Sequence, residues 1–167
     1  MYIRHSTPDD LPRMVDIYRY ARQFMADHGN PRQWGGRNWP PESLLRQDIR
    51  DGHSYVCCND TGAVIGTFFF LFGDSIEPTY HVITDGHWRG DERYGVVHRL
   101  AGDGSEKGIG AYCLRWAIDQ SQGHLRVDTH GDNVVMQNLL GKLGFLPCGT
   151  IYVVEDSDPR IAYEKLP

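Results

Sequence analysis

The sequence predicts a single domain of mixed α/β (α+β) class, with a mixed, mostly antiparallel central sheet flanked by helices. Three observations predict it. Segments of strand period and helix period are interleaved along the whole chain. Several neighbouring strand segments are close enough in sequence to form hairpins. The length of 167 residues, 40% of them hydrophobic and 23% charged, suits one core of ordinary size.

Taken in order, Tyr2 to Arg4 reads as a short strand. Thr7-Pro8-Asp9-Asp10 starts a helix, with Thr7 as N-cap, Pro8 in the first turn and acids beside it. Leu11, Met14, Val15, Tyr18, Ala21 and Met25 continue it at helical spacing, until Gly29-Asn30-Pro31 ends it. Gln33 to Trp39 reads as a loop, and Pro41 to Asp51 as a second helix with Leu44, Leu45 and Ile49 inward. Ser54 to Cys58 and Ala63 to Phe72 are strands about a tight Asn59-Asp60-Thr61-Gly62 turn. Thr79 to Ile83 is expected as a further short strand, and Asp85 to Arg93 as loop. Tyr94 to Ala101 is a central strand carrying His98 and Arg99. Ile109 to Gln120 is a helix, Leu125 to His130 a strand, and Asn133 to Leu143 a helix closed by Gly144. Phe145 to Val154 and Arg160 to Lys165 form a last strand pair. No repeat or linker divides the chain, so residues 1–167 are expected as one domain.

Composition narrows the function. A net charge of −5 argues against a nucleic-acid partner, which needs a basic face. The apolar run Val64 to Phe72 is far short of the about 20 residues of a membrane span, so no membrane association is expected. The 4 cysteines lack a C-x-x-C pair and read as reduced thiols, which fits a cytoplasmic protein. The 8 histidines include no H-x-x-x-H or H-E-x-x-H, so no metal site is expected.

The sharpest feature is the segment Leu100 to Ala111, in which a strand runs through a glycine-rich turn into a helix. Glycines allow close approach of a ligand, and the first helical N–H groups with the helix dipole favour a phosphate. The P-loop pattern G-x-x-x-x-G-K-[ST] is absent, and Cys113 stands where a dinucleotide fingerprint needs its third glycine.

Ser105-Glu106-Lys107-Gly108-Ile109-Gly110 resembles instead the acetyl-CoA segment of the GNAT N-acetyltransferases, [Gln/Arg]-x-x-Gly-x-[Gly/Ala], with serine at the first position. Asn133 followed by Lys142-Leu143-Gly144-Phe145 resembles that family's second motif, in the right order. The resemblance follows the element order of the whole chain and is specific in residues from about Val97 to Phe145. It implies a GNAT-like fold and an acetyl-CoA-dependent N-acetyltransferase. The acetyl group would pass to a primary amine, of a small molecule or a peptide, by direct attack on the bound thioester. It places acetyl-CoA against Leu100, Ala101, Ser105, Glu106, Lys107, Gly108, Ile109, Gly110, Ala111 and Asn133. Members of the family are often homodimers.

One departure bears on mechanism. The family's helix commonly carries a tyrosine that protonates the departing thiolate, and that position here is Leu140. A non-catalytic acyl-CoA-binding or sensor domain of the same fold is therefore the alternative. For an enzyme, the amine's proton needs an acceptor. Asp128 is the first choice, His130 shares its strand face if the strand is regular, and His98 is the third candidate. Tyr152 is the replacement acid by residue type. Trp34 and Tyr80 are expected to line the acceptor pocket.

Overall fold

Tyr2–His5 forms strand β1, which pairs antiparallel with β2, Ser54–Cys58. The computed structural model describes residues 1–36, 38–154 and 158–167. A 3-10 turn, Pro8–Asp10, precedes helix α1, Leu11–Asp27. The Thr7 and Pro8 start is as expected, but the closing group is Asp10. Its carboxylate accepts from the Thr7 N–H at 2.7 Å and from both terminal nitrogens of Arg4 at 2.7 and 2.8 Å. That fork holds the Asp10 carboxyl down at about 2.

Gln33 to Trp39 is not wholly loop: Arg32–Gly35 forms a short helix, α2. Helix α3 is Glu42–Arg50. Strand β3, Val64–Gly73, pairs antiparallel with β2. The strand expected over Thr79 to Ile83 does not form. Pro78–Tyr80 is a 3-10 turn capped by Glu77, whose carboxylate accepts from the Thr79 N–H at 3.1 Å. Proline at the first position fixes φ for a helical start and withholds a ladder donor, which outweighs the β-propensity of the residues after it. Strand β4, Tyr94–Gly102, leads through the glycine turn to α4, Ile109–Gln120. Strand β5 is Leu125–His130, α5 is Val134–Lys142, and β6 and β7 are Leu146–Tyr152 and Pro159–Lys165.

The strands make a seven-stranded mixed sheet in the order β1-β2-β3-β4-β5-β7-β6. Pairing of β4 with β5 is parallel, and β5–β7 and β6–β7 are antiparallel. Two compact units are distinguished, Met1–Phe70 with Arg99–Trp116, and Leu71–His98 with Ala117–Pro167. In the first, Leu11, Met14, Ile17 and Tyr18 of α1 and Leu45 of α3 bury themselves against Val56, Cys58 and Ala101. In the second, Tyr80, Tyr94, Val96, Ile151 and Ala162 form the core, with Ile76, Ile83 and Trp88 packed against it. No helix among the described residues is long and apolar enough to cross a membrane.

Two details of this architecture position functional groups. The paired residues of β4 and β5 are Gly95 with Leu125 and Val96 with Arg126, while the other edge of β5 pairs with β7 from Leu125 to His130. Within β4, Arg99 takes a left-handed backbone, φ 54, and its carbonyl accepts the Tyr18 hydroxyl at 2.9 Å. Such a residue breaks the alternation of a strand, as a bulge does.

Candidate active site

The glycine turn is built as expected, with the helix beginning at Ile109. Gly108 has φ 85 and open space where a Cβ would stand, and its carbonyl accepts the Tyr112 N–H at 2.9 Å. It is therefore the residue that caps α4. The N–H groups of Ile109, Gly110 and Ala111 occupy the first turn, where an α-helix offers no internal acceptor. An accessible surface at Gly108, above a twelve-residue helix, fits a phosphate group. Glu106 and Lys107 are exposed beside it. Ser105 is turned onto the loop itself: its N–H donates to Asp103 Oδ1 at 2.9 Å and its hydroxyl at 2.6 Å. Asp103 is also paired with Arg13. On β4, Ala101 is buried and Leu100 half-buried. Asn133 caps α5, accepting the Met136 N–H at 3.1 Å.

The second group lies beyond the paired residues of β4 and β5. Asp128 Oδ2 accepts the Tyr80 hydroxyl at 2.7 Å and stands 3.6 Å from His98 Nδ1. His98 Nε2 lies 2.7 Å from Glu77 Oε2. Thr79 supplies two further donors to Glu77, its N–H at 3.1 Å and its hydroxyl at 2.6 Å. Burial pushes the Glu77 carboxyl up, but the His98 hydrogen bond and charge, with Thr79, hold it down at about 2. The Tyr80 phenol is pushed well above its ordinary value by burial and by the neighbouring Asp128 charge. Two of the expected proton acceptors, Asp128 and His98, thus come together.

The others are placed apart. His130 Nδ1 accepts the Asp132 N–H at 3.2 Å, which leaves Nε2 as donor to Asp158 at 3.2 Å. Its hydrogen bonds serve the end of β5. Tyr152, on β6, is 55% exposed. Trp34 packs edge-on against Tyr18 at 5.8 Å and covers the core of its own unit. Tyr80 corrects the expectation of a pocket-lining residue: it is 2% exposed and its hydroxyl belongs to Asp128. Leu140 is fully buried, so the tyrosine position is a core position here. Sequence reasoning missed Glu77. Its one sequence signal is its place before Pro78 and Thr79, a helix-cap pattern just ahead of a segment read as strand. No cluster of metal-ligating side chains occurs among the described residues.

No protein-family model and no curated protein matches the sequence. Solved structures do. An acetyltransferase of the GNAT family from Streptococcus agalactiae superposes with a TM-score of 0.88 at 29% identity, covering 99% of this chain and 95% of that one. Over nearly its whole length the chain is therefore similar to the GNAT family of acetyltransferases and shares its fold. More distant acetyltransferases share the fold. One from Listeria monocytogenes reaches a TM-score of 0.69 at 16% identity, over 99% of this chain and 94% of that one. A ribosomal-protein-alanine N-acetyltransferase from Brucella melitensis reaches 0.58 at 20% identity, over all of both chains.

Proposed function

We propose that this GNAT protein transfers the acetyl group of acetyl-CoA to a primary amine by direct attack on the bound thioester, with Asp128 receiving the amine's proton. The observation that carries it is the juxtaposition of Asp128 and His98, 3.6 Å apart, beyond the paired residues of β4 and β5. Asp128 lies on the strand leading to Asn133, as the family resemblance implies for the proton acceptor. The Tyr80 hydroxyl donates to Oδ2 of Asp128, and the carboxylate keeps further acceptor capacity for the amine's proton. His98 precedes Leu100 and Ala101 on the same strand, and the resemblance sets those residues against the thioester and pantetheine. The amides of Gly108 to Ala111 hold the pyrophosphate, with Lys107 adding positive charge.

In the reaction the amine lone pair forms the C–N bond, its N–H proton goes to a carboxylate oxygen of Asp128, and the C–S bond breaks. A CoA thiolate is a good leaving group and accepts a proton from solvent. A buried Leu140 at the family's tyrosine position is consistent with departure that uses no tyrosine from that helix. The acceptor belongs to the class of free primary amines, in a small molecule or at a peptide N-terminus.

The test combines binding with turnover. CoA raises the melting temperature of the wild-type protein and has no effect on Gly108→Glu. Thiol release from acetyl-CoA rises when an amine is supplied from a panel of spermidine, lysine and a peptide with a free N-terminal alanine. CoA stabilisation with no release on any of these amines supports the binding domain over the enzyme; no stabilisation at all removes both.

A further inference from the structure

The connection between β3 and β4 runs from residue 74 to 93, longer than most loops of a compact domain, and connections of that length usually carry a function. Tyr80 and Trp88, its two largest aromatic side chains, are seated on one strand. β5 pairs with β7 without a register shift from Leu125 to His130, so Arg126 and Asp128, two residues apart, share a face. Trp88 lies over Arg126, whose guanidinium carbon is 4.3 Å from the indole ring and 4.0 Å from the Tyr94 ring. Tyr80 reaches Asp128 Oδ2 with its hydroxyl at 2.7 Å. Arg126 is itself fixed: its Nε donates to Oε1 of the fully buried Glu164 at 2.8 Å, and its Nη2 to the Gly90 carbonyl. The Arg89 N–H donates to the other Glu164 oxygen at 2.6 Å. Trp88 is thus held by the cation beneath its ring and by the two residues that follow it.

The two rings are also joined to each other. The Trp88 indole N–H donates to the Tyr80 backbone carbonyl at 2.8 Å, and the ring centroids are 5.0 Å apart. Tyr80 is the last residue of the 3-10 turn Pro78–Tyr80. The last carbonyl of so short a helix has no acceptor role within it, and the indole supplies the missing donor. A side chain carried by a single turn is aimed only as well as the backbone of that turn is held.

We infer that Trp88 is a positioning residue for the transfer: its indole N–H holds the Tyr80 carbonyl, and the turn so fixed aims the Tyr80 phenol at Oδ2 of Asp128. The catalytic part of this inference rests on the acetyltransferase reading above, in which Asp128 receives the amine's proton. The phenol keeps its own proton throughout, and the carboxylate takes the new one at an acceptor position that the phenol leaves open. A proton acceptor displaced from the amine by a fraction of an ångström loses rate without loss of cofactor affinity. Removing the indole N–H therefore lowers turnover and spares acetyl-CoA binding.

Two measurements test it. The first needs no substrate: urea unfolding is followed for wild type, Trp88→Phe, Tyr80→Phe and the double variant. Tyr80→Phe lowers the midpoint less in the Trp88→Phe background than in the wild type, because the hydrogen bond to Asp128 is already weakened there. Equal shifts in the two backgrounds overturn the inference. The second measurement uses acetyl-CoA with the panel amine that the wild type acetylates best. Trp88→Phe keeps an aromatic ring without the donor, and lowers kcat about tenfold with KM for acetyl-CoA unchanged. Trp88→His keeps a ring N–H at the same distance along the side chain, and holds kcat within about threefold of wild type. In the Tyr80→Phe background, Trp88→Phe changes kcat by less than about twofold. A tryptophan that only fills space gives the reverse order, with the smaller histidine slower than phenylalanine. That order overturns the inference, as does a Trp88→Phe kcat within about twofold of wild type, or an equal loss in both backgrounds. Each of these outcomes leaves the acetyltransferase reading standing, because the wild type turns over. Absence of wild-type turnover removes that reading and the catalytic part of this inference with it, and the urea comparison then decides whether Trp88 holds Tyr80.

Discussion

Asp128 receives a buried hydrogen bond from Tyr80 at 2.7 Å, and the two residues make separable predictions. Tyr80→Phe keeps the ring that packs on Tyr94 and Trp88 but removes the donor from a carboxylate. A loss of about 1–3 kcal/mol is expected, read as a lower urea midpoint. Asp128→Asn keeps the shape and removes the proposed proton acceptor, so kcat is expected to fall by about 100-fold while the melting temperature changes little. An unaltered kcat would place the proton acceptor elsewhere. Glu77 makes a pH prediction. Its folded value of about 2 lies below its ordinary 4.5, so it contributes stability that is complete above about pH 4.5 and is lost as pH falls toward 2. Asp10, also at about 2, titrates over the same range. Because Asp10 is common to both proteins, a comparison of wild type with Glu77→Gln isolates Glu77. The wild-type melting temperature falls more steeply over that interval; parallel curves would count against the pairing with His98.

At the scale of elements, the glycine turn and α4 were legible because their determinants are local. Gly108 needs φ 85, and the helix follows it directly. Asn133 reads as the start of α5 for the same reason, and its side chain does cap that helix. The segment after Glu77 was not legible as strand or turn from propensity alone. Its continuation lies against β6: Thr84 and Thr150 exchange backbone hydrogen bonds at 2.9 and 2.8 Å. A Cβ at Gly86 would run into the Cys148 carbonyl. Gly86→Ala is therefore expected to destabilise the protein by about 1–3 kcal/mol, the range for overpacking, as measured by urea unfolding. An unchanged midpoint would mean that this segment can lift away from β6 freely. Nothing in residues 83 to 86 of the sequence points to β6, because the pairing joins positions 66 residues apart.

For the whole molecule, length and composition indicate one folding domain, whereas compactness distinguishes two units that share β3, β4 and α4. Both units take part of each of these elements, so melting one would break two strands and a helix of the other. We expect a single cooperative transition, with near- and far-ultraviolet circular dichroism coincident in urea. Two separated transitions would show that the units fold independently.

The order of elements, the glycine turn before α4 and two of the proton-handling candidates could be read from residues a few positions apart. Capping, glycine conformation and hydrophobic period act over one or two turns of chain, so a one-dimensional pattern carries them. The chemistry of the site needed the tertiary structure. Glu77 meets His98 across 21 residues, and Tyr80 meets Asp128 across 48. Folding turned Tyr80 from an expected pocket wall into the buried partner of Asp128. It drew His130 away to Asp158 and put Leu140 in the core. Which side chains share a buried space depends on strand order and on where neighbouring strands stop pairing. No local periodicity encodes either, and it is the His98 and Thr79 partners that hold Glu77 in its charged form against the cost of burial.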